Sequence, residues 1–274
     1  MRVMHFPRRI QAFEFNDHPK APRALRDTVV ETLSRALEDG HVLAGLVQPF
    51  GEFLTKAGTH QVLDLCAGAG GPASILGREF ERAGRTPPSF LMTDLFPRTE
   101  KWSALRAGSP HFLDFVAEPV DATQIPSALA DQRVRTIINA FHHFPPELAS
   151  SILADAVRGS RGIFISEAFE RDPIRASAIT FHGVPALLAN PFRSTTDRAA
   201  KFAMTWASPI ALAVGGWDTI VSALRIYSEA DLRTMVAPLG DRFSWVYGTY
   251  AYAPYGRGSY FYGTPKAGAP DAAR

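Results

Sequence analysis

The sequence predicts an α/β fold: a mostly parallel sheet of seven strands, closed at its C-terminal end by an antiparallel hairpin. Three observations carry this. Short apolar runs alternate with segments of helical spacing from residue 58 to residue 171, and parallel strands need such crossovers, which are right-handed. A glycine-rich turn, "AGAGG", follows the first run and leads into a helix. Near the C-terminus, "FSWVYGTYAYAPYGRGSYFYGTPK" holds two alternating aromatic runs separated by Pro and Gly, the pattern of an antiparallel hairpin.

Taken in order, residues 1–57 form an N-terminal helical lid region. Leu25, Val29, Leu33 and Leu37 recur every fourth position before a stop at Gly40, and a second helix follows, broken at Pro49. Residues 58–171 form the ligand-binding core, with "QVLDLCA" as first strand and "PASILGREFERAG" as the helix after it. "SFLMTDLF" reads as a second strand ending near Asp94, "PHFLDFVAEPVDAT" as a third ending near Asp121, and "VRTIINAFHHF" as a fourth ending near Asn139. Helical "PELASSILADAV" precedes "RGIFISEAFE", the fifth. Residues 172–222, rich in Pro, Phe, Trp and Ala, break the alternation and read as an insertion over the carboxyl edge of the sheet. Helix signal resumes at "YSEADLRTMVAPLG", where Ser228 and Asp231 have capping-box spacing; residues 223–265 are the last helix and hairpin. The tail from Lys266 is expected to fray.

The bulk numbers bound the function. A chain of 274 residues, 46% hydrophobic and 20% charged, buries a sizeable core in one large domain. Its 29 basic and 27 acidic side chains leave no excess to neutralise a phosphate backbone, so nucleic acid is not the expected partner. The single cysteine, Cys66, makes neither an internal disulfide nor a zinc site by itself, and the N-terminus has no uninterrupted apolar core of signal-peptide type. The expectation is a reduced, cytoplasmic protein without a metal. The uncharged stretch from Phe202 to Trp217 falls short of the roughly 18 to 20 residues of a membrane-spanning helix. No integral membrane segment is expected, contact with a lipid surface stays open, and so does the oligomeric state.

Asp64, Asp94 and Asp121 each fall near the carboxyl end of a predicted strand, the edge where open parallel sheets bind ligands. The glycines of "AGAGG" let the backbone approach such a ligand closely. Gly68 to Ala73 also fits G-x-G-x-x-A, a dinucleotide fingerprint. A pyrophosphate on that turn would be opposed by Asp64, whereas a cationic ligand would be attracted by it.

These residues resemble the class I S-adenosylmethionine-dependent methyltransferases, whose first motif is an acid followed by a glycine-rich turn. "LDLCAGAGG" matches, with Cys66 where the pattern often has its first glycine, and the resemblance runs from about Thr59 to Glu167. It implies a Rossmann-like fold and S-adenosyl-L-methionine as cofactor. It implies Asp64 near the cofactor's ammonium group, and Cys66, Ala67, Gly68 and Gly70 beside its aminoacyl and ribose parts. Asp94, followed by Leu95, resembles the acid that accepts the ribose hydroxyls. Asp121 resembles the acceptor of the adenine amino group, with Ala122 as a backbone donor to the ring. Asn139 and Ala140 are implied near the methionine moiety, with His142 and His143 facing the cleft.

Methyl transfer is an in-line displacement that asks chiefly for alignment and exclusion of water. A hydroxyl or acidic carbon acceptor also needs a base, and histidine suits that role. His142 and His143 are the best-placed candidates, and because neighbours on an extended chain alternate sides, at most one of them is expected to face the cleft. Glu167 reads equally as a base and as a surface or capping acid; His182 is a further candidate. Phe181, Phe192, Phe202, Trp206 and Trp217 read either as pocket wall or as ordinary core. Asp218, with Arg225 as a candidate partner, is the polar exception there. The first function is therefore methylation of a small, hydrophobic or aromatic molecule. Two alternatives stand beside it: an NAD(P)-dependent oxidoreductase, although no Tyr-x-x-x-Lys spacing occurs, and a non-catalytic accessory protein that binds the cofactor.

Overall fold

A computed structural model of the chain describes residues 8–16, 18, 20–172 and 176–266. The predicted tail beyond Lys266 and the start of the N-terminal segment lie outside them. The chain divides into two compact units: Met1–Val42 with Phe169–Ile226 and Ala251–Arg257, and Leu43–Ala168 with Tyr227–Tyr250 and Gly258–Arg274.

The second unit carries the sheet. Its strands are β1 (Gln61–Asp64), β2 (Ser89–Met92), β3 (Leu113–Phe115), β4 (Val134–Ile138), β5 (Ile163–Glu167), β6 (Phe243–Tyr252) and β7 (Gly256–Pro265). The tip of the β6–β7 hairpin is grouped with the other unit. The order is β3-β2-β1-β4-β5-β7-β6. Strands β1 to β5 pair in parallel, Asp64 lying opposite Met92 on one side and Thr136 on the other, and β7 pairs antiparallel with β5. This is the Rossmann-like, mostly parallel seven-stranded sheet with a C-terminal antiparallel hairpin. Strand order reverses between β1 and β4, so their carboxyl ends flank the switch point at which such sheets bind ligands.

Because both faces are covered, β4 and β5 are buried at every position, as continuous apolar runs of a parallel sheet require. One face packs Leu63, Ile137, Ile152, Leu153, Ile165 and Phe261 into a single core. The other stacks aromatic rings, with Phe50 4.9 Å from Phe164 and 6.2 Å from Phe90. The helices of this unit are α2 (Val47–Ala57), α3 (Gly71–Arg82), α4 (Thr99–Gly108), the short α5 (Ser127–Ala130), α6 (Pro146–Gly159) and α10 (Glu229–Val236); α1, α7, α8 and α9 belong to the other unit. Pro49 does not break the second helix: it sits buried in the first turn of α2, where its missing N–H has no intrahelical partner to lose. The expected capping box opens α10, with Ser228 and Asp231 bonding reciprocally.

The first unit is helical. It holds α1 (Arg23–Asp39), which ends at Gly40 as its spacing predicts, α7 (Ile179–Arg193), α8 (Arg198–Phe202) continuing into a π-helical turn (Ala203–Ala207), and α9 (Ile210–Arg225). Residues 172–222 are thus mostly helix, where the sequence showed no helix signal. Pro185 and Pro191 lie inside α7, and such residues mask helical periodicity. Between α1, α7 and α8, the fully buried Lys201 Nζ reaches both oxygens of Glu31 at 3.1 and 3.0 Å and Ser194 Oγ at 2.5 Å. Among the described residues no single helix is long and apolar enough to cross a membrane.

Candidate functional site

The carboxyl ends of β1, β2 and β4 assemble one polar site inside the sheet unit. Asp64 closes β1 and is 2% exposed. Its Oδ1 accepts from Thr136 Oγ1 at 2.8 Å, while Oδ2 is buried with no hydrogen-bond partner. Burial, opposed by the Thr136 bond and reinforced by Asp94, pushes its carboxyl up to about 7. Two residues on, Cys66 takes a left-handed φ of 58°. Burial pushes its thiol up, and the fields of Asp94, Asp64 and Asp121 add to that, in that order. All three acids read from the sequence act electrostatically on the Cys66 thiol.

In the turn itself Gly68 and Gly70 have φ of 54° and 81°. A Cβ at Gly70 would stand 2.7 Å from Leu105 Cδ1, whereas one at Gly68 would meet nothing within 4 Å. Gly70 is thus demanded by packing. At Gly68 the backbone faces open space, which is what close approach of a ligand requires. The Gly68 N–H donates to Asp94 Oδ2 at 2.8 Å and its carbonyl accepts from Trp102 Nε1 at 3.0 Å. Asp94 Oδ1 accepts from the Phe96 N–H at 2.8 Å, and each carboxylate oxygen keeps a second lone pair for a ligand. Ala67 is buried beside the turn, its N–H donating to the Thr93 carbonyl at 3.0 Å, and Leu95 is exposed next to Asp94.

The third strand ends earlier than its sequence suggests. β3 stops at Phe115, and Asp121 lies in the loop beyond it, exposed. Its Oδ1 accepts from Thr123 N and Oγ1 at 2.8 and 2.7 Å, bonds that hold its carboxyl below the usual carboxylate range. The loop turns back because Glu118 and Pro119 interrupt the run, and the Val120 N–H donates to the Asp94 carbonyl at 2.9 Å. Ala122 is buried behind it.

At the end of β4, Asn139 also has a left-handed φ, 57°. Its Oδ1 accepts from the Ala168 N–H at 2.7 Å, and its Nδ2 is buried without a partner. Strained backbone at two adjacent strand ends, each beside an unsatisfied buried polar atom, is what a built ligand site looks like. Ala140 then leads into a 3-10 turn, Phe141–His143. His142 and His143 do not alternate as on a strand: the turn sets their rings side by side, centroids 4.1 Å apart. His142 is buried, donating its N–H to Glu167 Oε1 at 2.9 Å, with Nδ1 2.8 Å from Oε2. Glu167 is therefore no surface acid. A carboxylate can only accept, so Nδ1 is the donor of this bond.

Two candidates belong to the helical unit. His182 is half-buried, with Nε2 3.1 Å from the Ala253 carbonyl. Asp218 is buried and accepts the N–H groups of Phe15 and Asn16 at 2.9 and 3.1 Å, while Arg225 meets Glu14 at 3.3 Å and the Ala12 carbonyl. Both tie the N-terminal segment to α9. Sequence reasoning passed over Thr136, whose signal was a lone hydroxyl in an apolar run, and Trp102, which had none.

No family model matches the chain, and no curated protein does. Among solved structures, the chain is similar to magnesium protoporphyrin IX methyltransferase from Synechocystis PCC 6803 with bound SAH, at 14% identity over 83% of this chain and 84% of that one, TM-score 0.46. It is also similar to an O-methyltransferase (NcsB1) from neocarzinostatin biosynthesis, at 16% identity over 89% of this chain and 59% of that one, TM-score 0.49. A third is an O-methyltransferase family protein from Burkholderia thailandensis, at 14% identity over 82% and 58%, TM-score 0.44. Likeness at this level leaves function to the residues of the site.

Proposed function

We propose that the chain is a class I S-adenosylmethionine-dependent methyltransferase acting on a small, hydrophobic or aromatic molecule. The observation that carries this is the pair of orphaned buried atoms at the switch point, an acceptor on Asp64 and a donor on Asn139. The amino-acid end of S-adenosylmethionine brings an ammonium to the first and a carboxylate to the second. A pyrophosphate would satisfy Asn139 but set negative charge beside Asp64, and so favours the dinucleotide reading less.

The cofactor supplies an electrophilic methyl group on a sulfonium. Asp64 would hold its ammonium, Gly68 and Gly70 would let its aminoacyl and ribose parts lie against the turn, and Asp94 would accept the ribose hydroxyls. Asp121 and the Ala122 N–H would address the adenine, with Leu95 against it. His142, its Nδ1–H held by Glu167, would take a proton from the acceptor at Nε2, with His143 beside it in the cleft. Calorimetric titration with S-adenosylhomocysteine and with NADH tests this. Binding of the first, lost in Asp94→Ala and absent for NADH, is the expected result; binding of NADH alone, or of neither, overturns it.

A further inference from the structure

In the helical unit, helix α9 is built inside out. Its inward face presents Asp218 and Arg225 along with Ala211, Val214 and Val221, whereas Leu212, Trp217 and Ile220 project outward and are about half exposed. From Phe202 to Trp217 there is no charged residue. The π-helical turn before α9 continues the pattern. Trp206 stacks on Phe202 with centroids 6.4 Å apart and meets Phe192 edge-on at 6.3 Å, and all three rings are exposed. On the other flank the N-terminal segment adds Ile10, Phe13 and Phe15, likewise exposed, pinned to α9 by Ile10 N to Leu224 O at 3.0 Å.

Two details say what this face is for. Both exposed indoles already donate internally, Trp206 Nε1 to Leu188 O at 3.1 Å and Trp217 Nε1 to Phe13 O at 2.8 Å, so the rings present hydrocarbon with no polar edge to satisfy. The exposed charge of this unit is more basic than acidic. Among the described residues of this unit Arg8, Lys20, Arg23, Arg193 and Arg198 are exposed on the basic side, Arg23 pairing with Asp27 and Arg193 with Asp39, against Asp39 and Asp197 on the acidic side, while Glu14, Asp27, Asp172 and Asp218 are buried and Glu31, Glu38 and Glu170 half-buried. Arg193 and Arg198 follow the Phe192 cluster, and Lys20 follows Phe13 and Phe15.

We infer that this face seats the protein on the surface of an anionic lipid bilayer. The α8 and α9 segments meet at 82°, and each alone is shorter than the roughly 17 to 25 residues of a membrane-spanning helix; we place both in the plane of the interface. Aromatic and aliphatic side chains enter the headgroup boundary while the basic residues meet the lipid phosphates, the two attractions that hold interfacial helices. Such seating would bring the protein to acceptors dissolved in the membrane.

Co-sedimentation of the full chain with vesicles of phosphatidylcholine alone, and with one-third phosphatidylglycerol, tests the inference, with sedimentation velocity on the lipid-free protein in parallel. Expected is partition into the pellet with the anionic vesicles, falling with salt, and a blue shift of tryptophan emission. Leu212→Ser with Ile220→Ser, both at exposed positions, should weaken partition roughly tenfold or more, with an unchanged circular dichroism spectrum. Lys20→Glu with Arg198→Glu should weaken it on anionic vesicles and leave the fold intact. Failure to bind either vesicle overturns the inference. So does a lipid-free dimer that the Leu212→Ser, Ile220→Ser variant turns into monomer without any vesicle binding, which would make the face a contact between copies of the chain.

Discussion

Glu167 grips His142 at two points, its Oε1 taking the backbone N–H at 2.9 Å and its Oε2 lying 2.8 Å from the ring Nδ1. One carboxylate thus fixes both the turn after β4 and the orientation of the imidazole. Glu167→Gln keeps an acceptor for the backbone but removes the charge that favours a protonated Nδ1. With an acceptor in hand, kcat should fall roughly tenfold or more while the affinity for S-adenosylhomocysteine stays put; His142→Ala should cost about 100-fold or more. Equal losses in kcat and cofactor affinity would mean that the pair only holds the fold.

Asp64 makes both stability and binding depend on pH. Its carboxyl is raised from 3.8 to about 7, first by burial. Between those values the folded chain holds a proton that the unfolded chain has released, so stability falls as pH rises from about 4 to 7. The term is on the order of 4 kcal/mol across the window. Asp64→Asn should flatten it, seen as a smaller drop in Tm between pH 5 and pH 8.

The same titration sets the cofactor's affinity. An ammonium is held by ionised Asp64, so the Kd for S-adenosylhomocysteine should weaken by up to about tenfold per unit as pH falls below 7. Asp64→Asn should bind weakly at every pH. A flat profile for the wild-type chain would remove Asp64 from the ammonium's place.

The two glycines of the turn should fail differently. Gly70→Ala drives a Cβ to 2.7 Å from Leu105 Cδ1 and should cost about 2 kcal/mol or more in urea unfolding. Gly68→Ala has room around its Cβ and carries only the left-handed penalty of about 1 kcal/mol, yet it should lose more affinity than stability because the methyl fills space meant for ligand.

In the helical unit, Lys201→Ala removes a fully buried ammonium from Ser194 and from half-buried Glu31, which keeps Arg35 and Asn190 as partners, and should destabilise by about 2 kcal/mol. Replacing both partners with apolar residues, Lys201→Met and Glu31→Leu, should recover most of that. Thermal unfolding of the three variants checks it.

The sequence by itself determined the sheet unit. Its strands are apolar runs, its helices keep their spacing, and Asp64, Asp94 and the glycines sit in chain order at strand ends, because hydrophobic period and turn chemistry are local properties. Local reading also set limits. The local pattern puts Asp121 on a strand, which ends at Phe115, and predicts an extended histidine pair, which occupies a 3-10 turn. Only tertiary structure decided that Glu167 faces His142, which joins positions 25 residues apart, and that Asp64 Oδ2 and Asn139 Nδ2 are left unsatisfied at neighbouring strand ends. It also decided that Leu212, Trp217 and Ile220 of α9 point outward. The chain's composition says how much apolar surface exists, but burial is a property of which elements pack against which, and that is set by contacts between residues far apart in sequence.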